Sequence, residues 1–196
     1  LHKAIRRQRQ MCIRDRFIDI PANAWYLEDV MQASEQGLVS GMSEAFFEPK
    51  GTMNRAMFAT LLCKLEGAEG QEYTAPFEDV SPDAWYAGAV NWAYENGVVH
   101  GMSETEFAPL ASVNREQAAT MVVQYLESQG ITSDAEEVDF ADSGDISGYA
   151  VETIAKAQDL GILYGYEDNT IRPKNTLSRA EGVALLMNLV ECLEAA

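Results

Sequence analysis

The sequence predicts an all-α fold, three helix-loop-helix repeats packed about a pseudo-threefold axis with a central helical bundle. Three observations predict it. Landmark residues recur at fixed offsets of 60 and then 64: Arg55, Arg115 and Arg179; Trp25, Trp85 and Tyr149; Gly37, Gly97 and Gly161; Gly41, Gly101 and Gly165; Phe47, Phe107 and Ile171; Pro49, Pro109 and Pro173. Apolar residues fall at helical spacing after each arginine, as in Phe58, Leu61, Leu62 and Leu65, or Val183, Leu186, Leu189 and Val190. Finally, a unit of about 55 residues with two helices buries too little to fold alone, so the units must share a core.

Each unit opens on an aromatic-Asp motif, FIDI at 17–20, FEDV at 77–80 and FADS at 140–143. The opening offsets are 60 and 63, so the third unit gains one residue before Tyr149. A polar turn follows (PANA, SPDA, SGDISG), and helix one is expected over 24–36, 83–96 and 147–160. A glycine ends it, because glycine tolerates the left-handed conformation of a helix C-terminus. A second glycine four residues on marks a tight loop. A loop with one proline leads to helix two, expected over 54–66, 114–129 and 178–194 with Asn54, Asn114 and Ser178 as N-caps. Gln117 and Glu181 complete capping boxes, whereas Met57 breaks the one in the first unit. The repeats are bounded at 17–66, 77–129 and 139–194, joined by acidic, turn-rich linkers.

Residues 1–16, LHKAIRRQRQMCIRDR, do not match the rest. They hold six of the fourteen Lys/Arg and only one acid. They read as a foreign or disordered segment, since no apolar run follows to make a signal peptide. The rest carries eight Lys/Arg against thirty Asp/Glu, which argues against nucleic acid and anionic membranes as partners. No apolar run is long enough to insert in a bilayer. Cys12, Cys63 and Cys192 fit neither a metal site nor a disulfide framework. Cys63 and Cys192 read as small buried apolar residues, with a bridge between them as the alternative.

Six of the eight basic residues, Lys50, Arg55, Arg115, Arg172, Lys174 and Arg179, lie in the loop entering helix two or at that helix's first position. A cation at a helix N-terminus costs about 0.3–1 kcal/mol when exposed. An anion between the arginine and the free N–H groups would relieve that cost. A guanidinium also clamps a carboxylate bidentately. Trp25, Trp85 or Tyr149 could stack on the apolar face of a sugar, and Gly41, Gly101 and Gly165 would let backbone approach it. Structural readings stand beside these. The arginines could pair with Asp19, Asp79 or Asp142, the aromatics could be core, the glycines are first helix stops and loop residues, and the aspartates could cap turns or orient the arginines.

The order F-x-D-V, aromatic before a helix, G-[IVL]-[VL]-x-G, F/I-x-P and N/S-R-A-E resembles the S-layer homology domain family, over residues 17–194. The resemblance implies a three-pronged pseudo-trimer and a secreted, extracellular protein held non-covalently at the bacterial cell wall or S-layer. It implies a secondary cell wall polysaccharide with pyruvate ketals as ligand, in grooves between units. The binding residues would be the arginines, aspartates, aromatics and second glycines named above, with Lys50 and Lys174. Units one and two read NRAM and NREQ, and Tyr149 replaces Trp, so equal use of three grooves is not expected. A cargo domain would lie N-terminal.

Catalysis is not expected: no nucleophile–base pattern, P-loop or dinucleotide fingerprint appears, and neither a cofactor nor a metal is implied. Residues 139–152 are acidic but fail EF-hand spacing, with Gly144 and Ile146 where ligands belong. Peptidoglycan binding and a protein–protein assembly module at the cell surface remain the alternatives.

Overall fold

A computed structural model describes residues 17–196. It contains six α-helices: α1 Leu27–Glu35, α2 Arg55–Glu66, α3 Ala87–Glu95, α4 Arg115–Ser128, α5 Val151–Asp159 and α6 Arg179–Ala195. One 3-10 turn, Ser143–Asp145, precedes α5. Among the described residues the extended backbone makes only isolated bridges, Thr52 with Ser178, Asn54 with Ser112 and Asn114 with Thr176.

Helix two behaves in each unit as its caps dictate. Asn54, Asn114 and Ser178 accept from the N–H three residues on. The reciprocal bond of the capping box forms at Gln117 and Glu181. Helix one is shorter at its start than expected. Ala24 and Leu27 donate to carbonyls three residues back, a run of tight turns that delays the helix to Leu27. Trp25, Trp85 and Tyr149 therefore sit in the turn before helix one, not on it. The stops hold: Gly37, Gly97 and Gly161 have φ of 76°, 70° and 67°.

The packing partner of each helix two is not its own helix one. The main contacts join α2 to α3, α4 to α5, and α6 to α1, while α2 also touches α4 and α6. Each unit thus lends its second helix to the next, and the last lends it to the first. The exchange is pinned by a closed cycle of backbone hydrogen bonds: Met53 N to Leu177 O (2.9 Å), Leu177 N to Val113 O (2.9 Å) and Val113 N to Met53 O (3.0 Å). These three side chains, at or below 2 % exposed, lie in one continuous core with Phe58, Leu62, Leu126, Leu186 and Leu189.

Cys63 is buried and Cys192 half-buried, and both are free thiols, so the alternative of a bridge between them does not hold. Burial pushes the Cys63 thiol up to about 11 and keeps it protonated. Cys12 and the rest of residues 1–16 lie outside the described residues.

Candidate functional site

The three arginines are buried, at 6 % exposed for Arg55, 8 % for Arg115 and 9 % for Arg179. Each reaches into the next unit and binds two carbonyls of its loop. Arg55 donates to Phe107 O (2.8 Å) and His100 O (2.9 Å). Arg115 donates to Ile171 O (2.7 Å) and Tyr164 O (3.1 Å). Arg179 closes the cycle on Phe47 O (2.9 Å) and Ser40 O (2.9 Å). The guanidinium also lies over a ring of that loop, Phe107, Tyr166 or Phe47, at 4.6–4.8 Å. Burial lowers the pKa of Arg55 and Arg179, with nearby acids opposing it.

The helix N-termini are equally engaged. The N–H groups of Arg55 and Ala56 donate to Ala111 O and Pro109 O, those of Arg115 and Glu116 to Asn175 O and Pro173 O, and those of Arg179 and Ala180 to Gly51 O and Pro49 O. With the cap taking the third, the free N–H groups expected for an anion already hold neighbouring carbonyls. Other carbonyls of the same loops satisfy the arginine side chains, joined at Arg115 by an ion pair with Glu181 (3.5 Å), which explains a cation at that position without a ligand.

Asp19, Asp79 and Asp142 do not pair with the arginines by any hydrogen bond or ion pair. Each carboxylate accepts from two successive N–H groups of its own unit's loop: Phe47 and Glu48, Phe107 and Ala108, Ile171 and Arg172, at 2.6–2.9 Å. The second residue of each pair has positive φ (Glu48 58°, Ala108 57°, Arg172 52°), a conformation costing roughly 1–2 kcal/mol for a residue with a Cβ. The two hydrogen bonds donated to Asp hold the loop there, and so hold the carbonyls that the arginine reads.

Gly41, Gly101 and Gly165 are required by close approach. A Cβ on them would stand 2.5 Å from Phe17, 2.6 Å from Phe77 and 2.8 Å from Phe140, the opening aromatic of the same unit.

The three aromatics of the turns stand exposed. Trp25, Trp85 and Tyr149 are 66, 65 and 58 % exposed, so they are not core. Trp25 stands edge-on to Tyr26, and Trp85 to Tyr86, which props both indoles upright. Two clefts lie beside such aromatics. One, of about 530 Å³, runs between Trp25 and Lys50 of the first unit and Tyr166 and Glu181 of the third, with Arg115 at its base. The other, of about 490 Å³, lies between Tyr149 of the third unit and Gly101 and Gln117 of the second, with Arg55 at its base. The repeat offsets interconvert the two, and they place the third pseudo-equivalent position at Trp85, Gly41, Met57 and Arg179.

The chain belongs to the S-layer homology domain family. The family model matches three times, over residues 16–59, 76–119 and 139–181. Similar proteins include "Exoglucanase XynX" of Acetivibrio thermocellus, 32 % identical over 179 residues, covering 89 % of this chain and 16 % of the relative. "Cellulosome-anchoring protein" of the same species is 30 % identical over 84 % of this chain and 38 % of its own length. "Surface-layer 125 kDa protein" of Lysinibacillus sphaericus is 29 % identical over 86 % of this chain and 14 % of its own length. The chain thus spans well under half of each of these relatives, and the match to the enzyme is confined to its S-layer homology region. That domain is a non-catalytic anchoring module.

One group escaped the sequence reading. Glu116, 2 % exposed, stands where the other units have Ala56 and Ala180. It accepts from Lys174 Nζ on both oxygens (2.7 and 2.9 Å), from Ser147 N (3.0 Å) and Oγ (2.9 Å), and from Tyr149 Oη (3.2 Å). Burial pushes its carboxyl up, but the bonds from Lys174 and Ser147 outweigh this and leave it below its ordinary value. Burial and the Glu116 charge raise the Tyr149 phenol to about 12. The signal was the NREQ departure itself: an extra acid in one repeat, matched by a lysine in the next repeat's loop.

Proposed function

We propose that residues 17–196 hold a secreted protein non-covalently on the bacterial cell surface by binding a secondary cell wall polysaccharide, one carrying pyruvate ketals, in the clefts between units. The observation that carries this reading is the Trp25 cleft. An exposed, propped indole faces it, Lys50 stands exposed at its mouth, and Gly165 lines its wall. A flat apolar surface beside a solvated cation suits a sugar that bears a carboxylate. The names of two relatives, a cellulosome-anchoring protein and a surface-layer protein, support attachment at the cell surface as the role. The arginines act here through the fold of each cleft as well as through charge. Several weak clefts on a repeating polymer gain by effective concentration, roughly 10²–10⁴-fold overall.

The test is cosedimentation of the protein with purified Gram-positive sacculi, before and after mild acid has stripped ketals and wall polysaccharide. Binding lost on stripping supports the reading. Binding that survives stripping moves the ligand to peptidoglycan, and no binding to intact walls moves the role to protein–protein assembly. Trp25→Ala is the variant to pair with it, since its indole is exposed and its loss leaves the core untouched: retention on walls falls about tenfold while thermal unfolding is unchanged.

A further inference from the structure

The two clefts and the third pseudo-equivalent position share a repeat pattern but not a charge pattern. At the position that follows the loop proline they present Lys50, Lys174 or Leu110. Lys50 is exposed and makes no hydrogen bond or ion pair among the described residues. Lys174, though half-exposed, has its ammonium held by Glu116 and Ser147. Leu110 offers no charge and is 72 % exposed. A second position varies in the same order. The Trp25 cleft has Tyr166, whose hydroxyl donates to Glu181 (2.8 Å) and whose ring lies between Arg115 (4.8 Å) and Arg172 (4.0 Å). The other two positions have Met102 and Met42 there, both exposed. A third position reads Glu181, Gln117 and Met57.

Resting on the cell-wall reading above, we propose that the Trp25 cleft alone takes the charged sugar at high affinity, and that Glu116 withholds the pseudo-equivalent Tyr149 cleft by sequestering Lys174. The physical reason is local neutrality. An anionic ligand at Trp25 meets an unpaired ammonium, because the carboxylate lining that cleft, Glu181, is taken up by Ser178, Tyr166 and Arg115, while at Tyr149 the same ammonium is already paired with a buried carboxylate and would have to leave it. The third position has no ammonium to offer. Glu116 is thus a specificity-determining residue that acts through Lys174, and the alanines at 56 and 180 show that this point of the helix needs no acid to fold.

The probe is a hexoside carrying a 4,6-linked pyruvate ketal, with its methyl ester as the uncharged control, titrated into ¹⁵N-labelled full chain. Expected are shifts of the Trp25 indole and the Lys50 amide at roughly tenfold lower concentration than any at Trp85 or Tyr149, and their loss with the ester. Lys50→Ala is expected to weaken the Trp25 set about tenfold. In Glu116→Ala, with Glu116→Gln as the variant that keeps the side-chain volume, shifts at Tyr149 and Gly101 are expected to move into the concentration range of the first set. Simultaneous response of all three clefts overturns the inference but leaves wall binding standing. So does a Glu116→Gln spectrum that is folded yet still silent at Tyr149. Silence of wild type in every cleft sinks the ketal reading itself.

Discussion

Arg179→Ala is the sharpest perturbation of the closure between the last and first units. The side chain binds two carbonyls, Phe47 O and Ser40 O, each at 2.9 Å, and its guanidinium lies 4.6 Å from the Phe47 ring. Hydrogen bonds to a charged group contribute about 1.5–3 kcal/mol each, and truncation leaves both carbonyls without their donor. Water entering the vacated space returns part of this, so the net loss is about 3 kcal/mol. Lysine does not rescue it, because a single ammonium cannot address two carbonyls with the fork of a guanidinium. The assay is urea unfolding followed by far-UV circular dichroism, with Lys50→Ala as the exposed cationic control, expected within about 0.5 kcal/mol of wild type. If Arg179→Ala costs less than about 1 kcal/mol, the arginine is not a staple between units, and its conserved placement along this chain needs the ligand explanation alone.

Three further outcomes follow from the same geometry. Gly101→Ala drives a methyl group to within 2.6 Å of Phe77, and thermal unfolding should report a loss of about 2 kcal/mol; an unchanged midpoint would refute the close approach as the reason for glycine there. Asp79→Ala frees the N–H groups of Phe107 and Ala108 at a left-handed residue, which should cost about 2 kcal/mol in urea and raise amide exchange selectively in residues 105–109. The Glu116 carboxyl titrates below its ordinary 4.5 in the folded chain, so its contribution is fully present above pH about 4.5 and is lost as pH falls through the lowered folded value. Acid unfolding of Glu116→Gln should accordingly be shallower than that of wild type below pH about 4.5, and parallel curves would refute the assignment.

The repeat made most of the fold legible. Offsets of 60 and 64 aligned the caps, and Asn54, Asn114 and Ser178 begin helices where their side chains can reach the third N–H. The glycine stops were equally readable, because a left-handed helix end is a local matter. What sequence could not show is which helix each unit packs against. Sequence order groups helix one with the helix two that follows it, whereas the core groups helix two with the helix one of the next unit. That exchange decides the arginines. Read within one unit, Arg55 faces helix dipole and open N–H groups; placed against the next unit, it faces Phe107 O and His100 O. The aspartates were ambiguous for the same reason. Their partners, such as Phe47 and Glu48 for Asp19, lie 28 and 29 residues away, on a loop whose position only the packing fixes. The start of helix one was misjudged by three residues in the first unit and four in the second because PANA and SPDA form tight turns before the helix, and that moved Trp25 and Trp85 into solvent.

The exchange of helices also sets a schedule. During synthesis the first unit emerges with α1 lacking its partner, since α6 follows the other five described helices in the chain. The contacts from Arg179 back to Phe47 and Ser40 span 132 and 139 residues, against 52 and 45 for those of Arg55. Contacts that distant form late, because a long chain segment must be closed before they contribute. The cleft at Trp25 takes one wall from the first unit and the other from the third, so it comes into being only when residues near 188 have been made and docked. The cleft at Tyr149 needs nothing so remote. A chain not yet made as far as α6 therefore has no finished Trp25 cleft, and a molecule able to grip through it is one whose third unit is complete and docked.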